Sequence, residues 1–202
     1  MDSKDRLPDE AFRARKRHRP GIDAVLCDAG RHPRGDAWPA RKRALQILAL
    51  HADNQVQVAA EGGIGAILGA MQGHPESEEV QAAGCKALLI LAVKADNQVQ
   101  VAAEGGIGAI LGAIQGHPES EEVQAVGCTA LQSLAVNADN KVKVAAEGGI
   151  GAIFGAMQGH PESEEVQAAG CLALQCLALN ADNKVKVAAQ AQVAAEGGIG
   201  AI

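Results

Sequence analysis

The stretch ADNQVQVAAEGGIGAILGAMQGHPESEEVQAAGCKALLILAVK, residues 52–94, decides the fold because it recurs twice with little change. Residues 95–137 differ from it at six positions, and residues 138–180 differ from the second copy at eight. A fixed period of 43 residues with helical patterning inside each copy is typical of an α-solenoid, in which each repeat buries its apolar surface against its neighbours. The sequence therefore predicts an all-α chain that presents an extended surface.

Each copy divides into three helical segments. In the first copy, Asp53 is the predicted N-cap of a short first helix, and Gly62–Gly63 end it, since a glycine just past a helix takes the left-handed conformation readily. Apolar residues at i, i+3, i+4 and i+7 over 64–71 predict a second helix. Gly73-His74-Pro75 interrupts the chain, and Ser77 is the predicted N-cap of a third helix.

Two motifs carry a family resemblance. DN-x-V-x-V-A-A-E-G-G-I starts at Asp53, and S-E-E-V-Q-A-A-G-C-x-A-L-x-x-L-A starts at Ser77. Both recur one period later and again two periods later, with one exception, Val126 in place of the second Ala of the latter motif. With three helices per 43 residues, these motifs resemble the armadillo repeat. The resemblance implies a right-handed superhelix of about four and a half repeats. The two-helix HEAT repeat is the alternative, disfavoured because the Gly-Gly break makes three helices.

The predicted domains are a basic, disordered tail over residues 1–20 and a repeat array over 21–202. The array comprises a degraded repeat at 21–51, full repeats at 52–94, 95–137 and 138–180, and a truncated repeat at 181–202. The truncated repeat carries an extra QAQVAA at 190–195. Six residues add about 240° of helical phase, so Val193 is not expected to replace Val187 on the packed face. The last residues are predicted to begin a second helix, and this uncapped end is expected to fray or self-associate.

Charge and composition narrow the function classes. Residues 1–43 carry 12 Lys and Arg against 7 Asp and Glu, whereas residues 44–202 carry 6 against 17. An acidic array is a poor binder of phosphate backbones, so nucleic acid is not an expected partner. Neither a long apolar run nor a signal core is present, so membrane insertion is not expected. Cys85, Cys128 and Cys171 lie one repeat apart, about 10 Å, which is too far for disulfides and favours a reducing cytoplasm or nucleus. These three thiols are expected to be small apolar residues of the core.

The candidate binding surface lies on the third helices. Five of the six differences between the first two copies fall there or at the helix end, and positions 83, 86, 90 and 94 follow one helical face opposite Leu88 and Leu91. The resemblance implies that third helices line a concave groove, with partner contacts at two positions per repeat. The first position is occupied by Arg43, Lys86, Thr129 and Leu172, and the second by Ile47, Ile90, Ser133 and Cys176.

Two questions about this surface stay open in the sequence. None of the eight residues is the Trp or Asn with which the family clamps extended peptides, so recognition of basic signals as by nuclear-import adaptors is not expected. The differences between copies fit a selected binding face, and they also fit the drift of duplicated repeats at exposed positions, where packing tolerates change.

No catalytic, cofactor-binding or metal-binding residue is predicted. His74, His117 and His160 recur at steps of about 10 Å, so they cannot place several nitrogens at about 2 Å from one metal ion; a loop role is expected. Gly-Gly-Ile-Gly follows a helix rather than a strand and lacks the Lys of a phosphate loop. Cys176 has no His near it in the sequence.

The function hypothesis is a non-catalytic scaffold, cytoplasmic or nuclear, that binds a protein or peptide partner along the third helices. One alternative is a nuclear-transport or trafficking adaptor with a basic arm at residues 13–19, RARKRHR. Another is a fragment of a larger signalling protein whose catalytic domain lies outside this chain.

Overall fold

The computed structural model describes the backbone of residues 52–199 and the side chains of residues 55–193. This part of the chain is all-helical, without a strand, which confirms the predicted class. Its helices are α1 (Ala52–Ala60), α2 (Gly63–Gly73), α3 (Glu78–Leu91), α4 (Ala95–Ala103), α5 (Gly106–Gly116), α6 (Glu121–Leu134), α7 (Ala138–Ala146), α8 (Gly149–Gly159), α9 (Glu164–Leu177) and α10 (Ala181–Ile199). The predicted tail, the degraded repeat at 21–51, Arg43 and Ile47 lie outside the described residues.

The helices recur in threes. A first helix of 9 residues, a second of 11 and a third of 14 follow one another in each copy. The first helices are α1, α4 and α7, the second helices are α2, α5 and α8, and the third helices are α3, α6 and α9. Consecutive packing of these triplets makes the described part of the chain an α-solenoid.

A left-handed glycine separates the first helix from the second in every full repeat. Gly62, Gly105 and Gly148 have φ angles of 81°, 92° and 89°. A residue with a Cβ would lose about 1–2 kcal/mol in this region. The predicted role of the glycine pair is therefore confirmed, and this turn lets the second helix change direction without a longer loop.

The N-cap prediction is correct for α3 and α6 and wrong for the first helices, and Ser163 precedes α9 without a capping hydrogen bond from its side chain. Ser120 Oγ accepts a hydrogen bond from the Val123 amide at 3.2 Å, and Ser77 caps α3 in the same way. Helix α1, however, begins at Ala52, so Asp53 lies inside its first turn. In the third repeat, Asn137 is the N-cap, and its Oδ1 accepts from the amide of Asp139 at 3.0 Å. The aspartate is thus a first-turn residue, where the helix dipole favours its charge.

The third helices stack on one another and form the core of the array. Helix α6 packs between α3 and α9, and each second helix packs on the third helix of its own repeat. Leu88 and Leu131 are completely buried in this stack. Close approach requires a small residue, because a Cβ on Gly127 would lie 2.6 Å from Cγ1 of Ile114.

Buried glutamines attach the second helix to the third. Gln124 is only 1% exposed, and its Nε2 donates to the carbonyl oxygens of Ile114 at 2.7 Å and His117 at 2.8 Å. These carbonyls lie at the C-terminal end of α5. The last carbonyl oxygens of a helix have no amide donor within the helix, so the glutamine side chain supplies the hydrogen bonds. Gln81 and Gln167 make the same pair of bonds in their repeats.

Buried asparagines connect the first helices of successive repeats. Asn140 Nδ2 donates to the carbonyl oxygen of Gln98 at 2.9 Å, and Asn183 Nδ2 donates to that of Lys141 at 3.0 Å. Asn97 bonds to the Gln55 carbonyl oxygen of the preceding repeat at 3.3 Å. Because a buried amide without its acceptor costs about 1–3 kcal/mol, these bonds hold the repeats in a single register.

Helix α10 departs from the repeat pattern. It runs unbroken for 19 residues and passes through Gly197–Gly198, so the predicted second helix does not start there. Val187 packs against the core, whereas Val193 is 62% exposed, as the phase argument predicts. In the shared run V-A-A-E-G-G, Val193 corresponds to Val58. Val58 is buried and lies against Gly63 at the turn that follows α1, whereas Val193 is exposed and does not make this packing contact.

The glycine at the helix crossing gives the first testable prediction. Gly127→Ala should lower the free energy of unfolding by about 1–2 kcal/mol, because overpacking against Ile114 outweighs the gain in helix propensity. The matched control is Gly112→Ala in α5, where an added Cβ meets nothing within 4 Å. This control should raise stability by up to about 1 kcal/mol. Urea denaturation followed by circular dichroism measures both; a Gly127→Ala chain as stable as the control would contradict the packing argument.

Candidate partner-binding face

The third-helix face is the side of α3, α6 and α9 that carries Lys86, Ile90, Thr129, Ser133, Leu172 and Cys176. Each helix contributes two of these residues four positions apart, which places one above the other on the same side of the helix. Leu172 is 49% exposed and the other five are half-buried. The structure therefore brings the six described candidates onto one surface, in two rows that cross three repeats. That they bind a partner stays a prediction.

One candidate already has a partner inside the chain. Lys86 Nζ on α3 forms an ion pair with Glu122 Oε1 in the first turn of α6. The Lys86 side chain is 37% exposed and that of Glu122 is 52% exposed, so the pair lies at the surface and bridges two repeats. Lys86 thus lies on the third-helix face and also links the first two full repeats.

Two other candidates hydrogen-bond to backbone. Thr129 Oγ1 donates to the Ala125 carbonyl oxygen at 2.9 Å, one turn earlier in its own helix. The Cys176 thiol lies 3.4 Å from the carbonyl oxygen of Ala135, at the C-terminal end of α6. Threonine at position 129 therefore points its hydroxyl into its helix, whereas Cys176 attaches α9 to the preceding repeat.

The recurrent histidines form links between loops, as their predicted loop role requires. His117 Nε2 lies 2.8 Å from the Pro75 carbonyl oxygen, and His160 Nε2 lies 2.7 Å from that of Pro118. Because a carbonyl oxygen only accepts, each Nε2 carries the hydrogen and donates it. Among the described side chains, no group of three or more His, Cys, Asp or Glu converges as a metal ion would require.

Serine–glutamate hydrogen bonds run beside the histidine links. Ser120 Oγ donates to Glu78 at 2.6 Å, and Ser163 Oγ donates to Glu121 Oε2 at 3.1 Å. The same residue types thus make the same contact at both junctions between full repeats. This regularity means that the second and third repeats are related to each other as the first is to the second.

The thiols differ although their motif is identical. Cys85 and Cys128 are completely buried, and burial raises the pKa of each thiol to about 12. Cys171 occupies the same motif position in α9 but is exposed, since α10 does not cover it as a third helix would. The prediction of three core cysteines is therefore correct for two and wrong for Cys171.

A row of exposed valines on the first helices was not predicted. Val56, Val99, Val142 and Val185 are between 51% and 71% exposed, one in each first helix and one in α10. The signal was present in the motif V-x-V: residues two apart on a helix lie about 200° apart, so only one of the two can face the core. Val58 is that buried residue in α1.

These features define the class of protein, an α-solenoid of three-helix repeats whose side-chain contacts recur between repeats. Residues 42–194, more than half of the chain, match the family model described as the LRRK2 ARM repeat. The chain therefore belongs to this armadillo-type repeat family, which confirms the resemblance drawn from its motifs. A comparison with curated proteins finds no match. Within the described range, no helix is long and apolar enough to cross a membrane.

The thiol environments predict a labelling order. With iodoacetamide at pH 8, Cys171 should react faster than Cys85 and Cys128. The reactive form is the thiolate, and burial in the folded chain disfavours the thiolate at Cys85 and Cys128. Peptide mass spectrometry at each site measures the rates. In 8 M urea the three cysteines should react at similar rates, which serves as the control. Labelling of Cys128 as fast as Cys171 in the folded chain would show that the third-helix stack opens readily.

Proposed function

We propose that this protein is a non-catalytic scaffold that binds a protein partner along the third-helix face. The observation that carries the proposal is where the first two full repeats differ. Four of the six differing positions, 86, 89, 90 and 94, are half-buried at the surface of the third helix and its end in both repeats, whereas the other two differences involve the buried residues Val126 and Met71. Core leucines such as Leu88 and Leu131 are the same in both repeats. A largely constant core with most of its differences on one surface is what a multi-site binding surface needs.

The geometry of the face favours an extended partner. Neighbouring helices pack about 10 Å apart, which is close to three residues of extended chain at about 3.3 Å each. A segment that crosses α3, α6 and α9 would meet Lys86 and Ile90, then Thr129 and Ser133, then Leu172 and Cys176. A few of these side chains are expected to supply most of the binding energy.

Charge and thiol chemistry support a protein partner in a reducing compartment. The net charge of −6 disfavours nucleic acid, whose phosphates repel an acidic array. Cys85 and Cys128 are free thiols inside the core, which is ordinary in the cytoplasm or nucleus. We therefore propose that the scaffold works in one of these compartments. The adaptor alternative depends on residues 13–19, outside the described residues, and stays a prediction, as does self-association through the C-terminal end.

The row of exposed valines supplies the matched control for testing this proposal. The groove variant, Lys86→Glu with Ser133→Arg, changes two half-buried residues of the third-helix face. The valine variant, Val99→Glu with Val142→Glu, changes two residues on the first helices that are more exposed than these. Both double variants should fold, because none of the four side chains belongs to the core.

We expect the groove variant to lose bound proteins about tenfold or more when the chain is used to capture partners from native lysate, and the valine variant to retain them. Quantitative mass spectrometry measures the captured proteins, and circular dichroism confirms that both variants are folded. Retention by the groove variant together with loss by the valine variant would move the binding surface to the first helices and refute the proposal.

A further inference from the structure

The ion pair between Lys86 and Glu122 has a counterpart position in the next repeat that lacks the cation. Thr129 stands where Lys86 stands, and Glu165 stands where Glu122 stands, each 43 residues later. Thr129 bonds to the Ala125 carbonyl oxygen of its own helix. Among the side chains of residues 55–193, no Lys, Arg or His lies within ion-pair distance of Glu165.

The two junctions between full repeats are otherwise alike in their side-chain contacts. The histidine-to-proline link measures 2.8 Å at the first junction and 2.7 Å at the second. The serine–glutamate bond also recurs, and α6 packs on α9 as α3 packs on α6. A cation placed above Thr129 would therefore reach Glu165 as the ammonium of Lys86 reaches Glu122.

An exposed apolar side chain lies on the same helix face as Glu165. Leu172 lies two turns further along α9 on the same side of the helix and is 49% exposed. Its counterparts are Lys86 and Thr129, so the third repeat alone offers an exposed leucine at this position. An exposed carboxylate and an exposed leucine thus lie about 10 Å apart along one helix face.

We propose that the third-helix face binds a partner segment carrying a Lys or Arg side chain near a Leu, Ile or Met side chain, with the cation on Glu165 and the apolar group on Leu172. The inference rests on the proposed function and specifies its partner. Lys86 is the stand-in for the partner's cation one repeat earlier. An acidic segment would be repelled, because Glu164 and Glu165 both lie in the first turn of α9.

Three single variants separate this site from general charge effects. Glu165→Gln removes the carboxylate, and Thr129→Lys supplies the missing cation from within the chain, so that it competes with the partner. Glu164→Gln changes the net charge by the same amount as Glu165→Gln. Its counterparts Glu78 and Glu121 accept from serines of the next repeat, so Glu164 belongs to the loop edge rather than to the groove.

The test uses the full chain and a synthetic library of ten-residue peptides randomised at every position. Peptides retained by the immobilised wild-type chain are sequenced, and the affinities of the most enriched ones are measured by fluorescence anisotropy. We expect enrichment of Lys or Arg near Leu, Ile or Met. Glu165→Gln and Thr129→Lys should each bind these peptides about two- to fivefold more weakly, as for one exposed ion pair, and Glu164→Gln should bind them as wild type does.

The remaining outcomes distinguish this inference from the proposed function. Enriched peptides that are acidic or uncharged, and that are lost with Lys86→Glu and Ser133→Arg, would overturn the inference and leave the third-helix face as the binding surface. Equal weakening by Glu164→Gln and Glu165→Gln would also overturn the inference, since it would show only long-range attraction. Peptides that bind the groove variant normally, or a library without any enrichment, would overturn both.

Discussion

Helix α3 packs against α6, and α6 packs against α9; this contact between the third helices of successive repeats determines the spacing, the core and the accessible surface of the array. Its effect is visible where it is missing. Cys85 and Cys128 are fully buried, whereas Cys171, at the same motif position, is exposed because α10 does not continue the stack. No repeat buries its own apolar surface alone, so burial in this protein is a property of pairs of repeats.

The packed stack needs both small and polar side chains in its interior. Gly127 lets α5 approach α6 until a Cβ would clash with Ile114. Gln124 then closes the end of α5, and Asn140 connects the first helices of two repeats. Apolar contacts alone would allow the helices to slide, since they are non-directional. The buried amides remove that freedom, because a shifted register would leave them without acceptors.

A rigid skeleton of this kind leaves the third-helix face free to vary without loss of fold. Lys86 and Thr129 illustrate the consequence. At the first junction Lys86 pairs with Glu122, whereas at the second junction Thr129 stands in its place and no described cation neutralises Glu165. The same surface can therefore carry different chemistry at each step of about 10 Å. That is the property that suits a solenoid to holding extended partners.

The sequence by itself determined the class, the period and the local breaks of this protein. Gly62 and Ser77 act within one helical turn of their own positions, so their roles could be inferred without a structure. The sequence also placed the six described groove candidates on one face, because helical periodicity fixes the direction of each side chain. The position of the first N-cap was mispredicted at Asp53, since Ser, Asn and Asp are all good caps and the pattern alone does not choose among neighbouring positions.

The tertiary structure alone decided which of these residues meet across repeats. Lys86 with Glu122, and His117 with Pro75, are pairs separated by 36 and 42 residues. Their contact depends on how two helices pack side by side, and a period of 43 residues does not state that arrangement. The same is true of exposure at Cys171, which depends on a neighbour rather than on the residue itself.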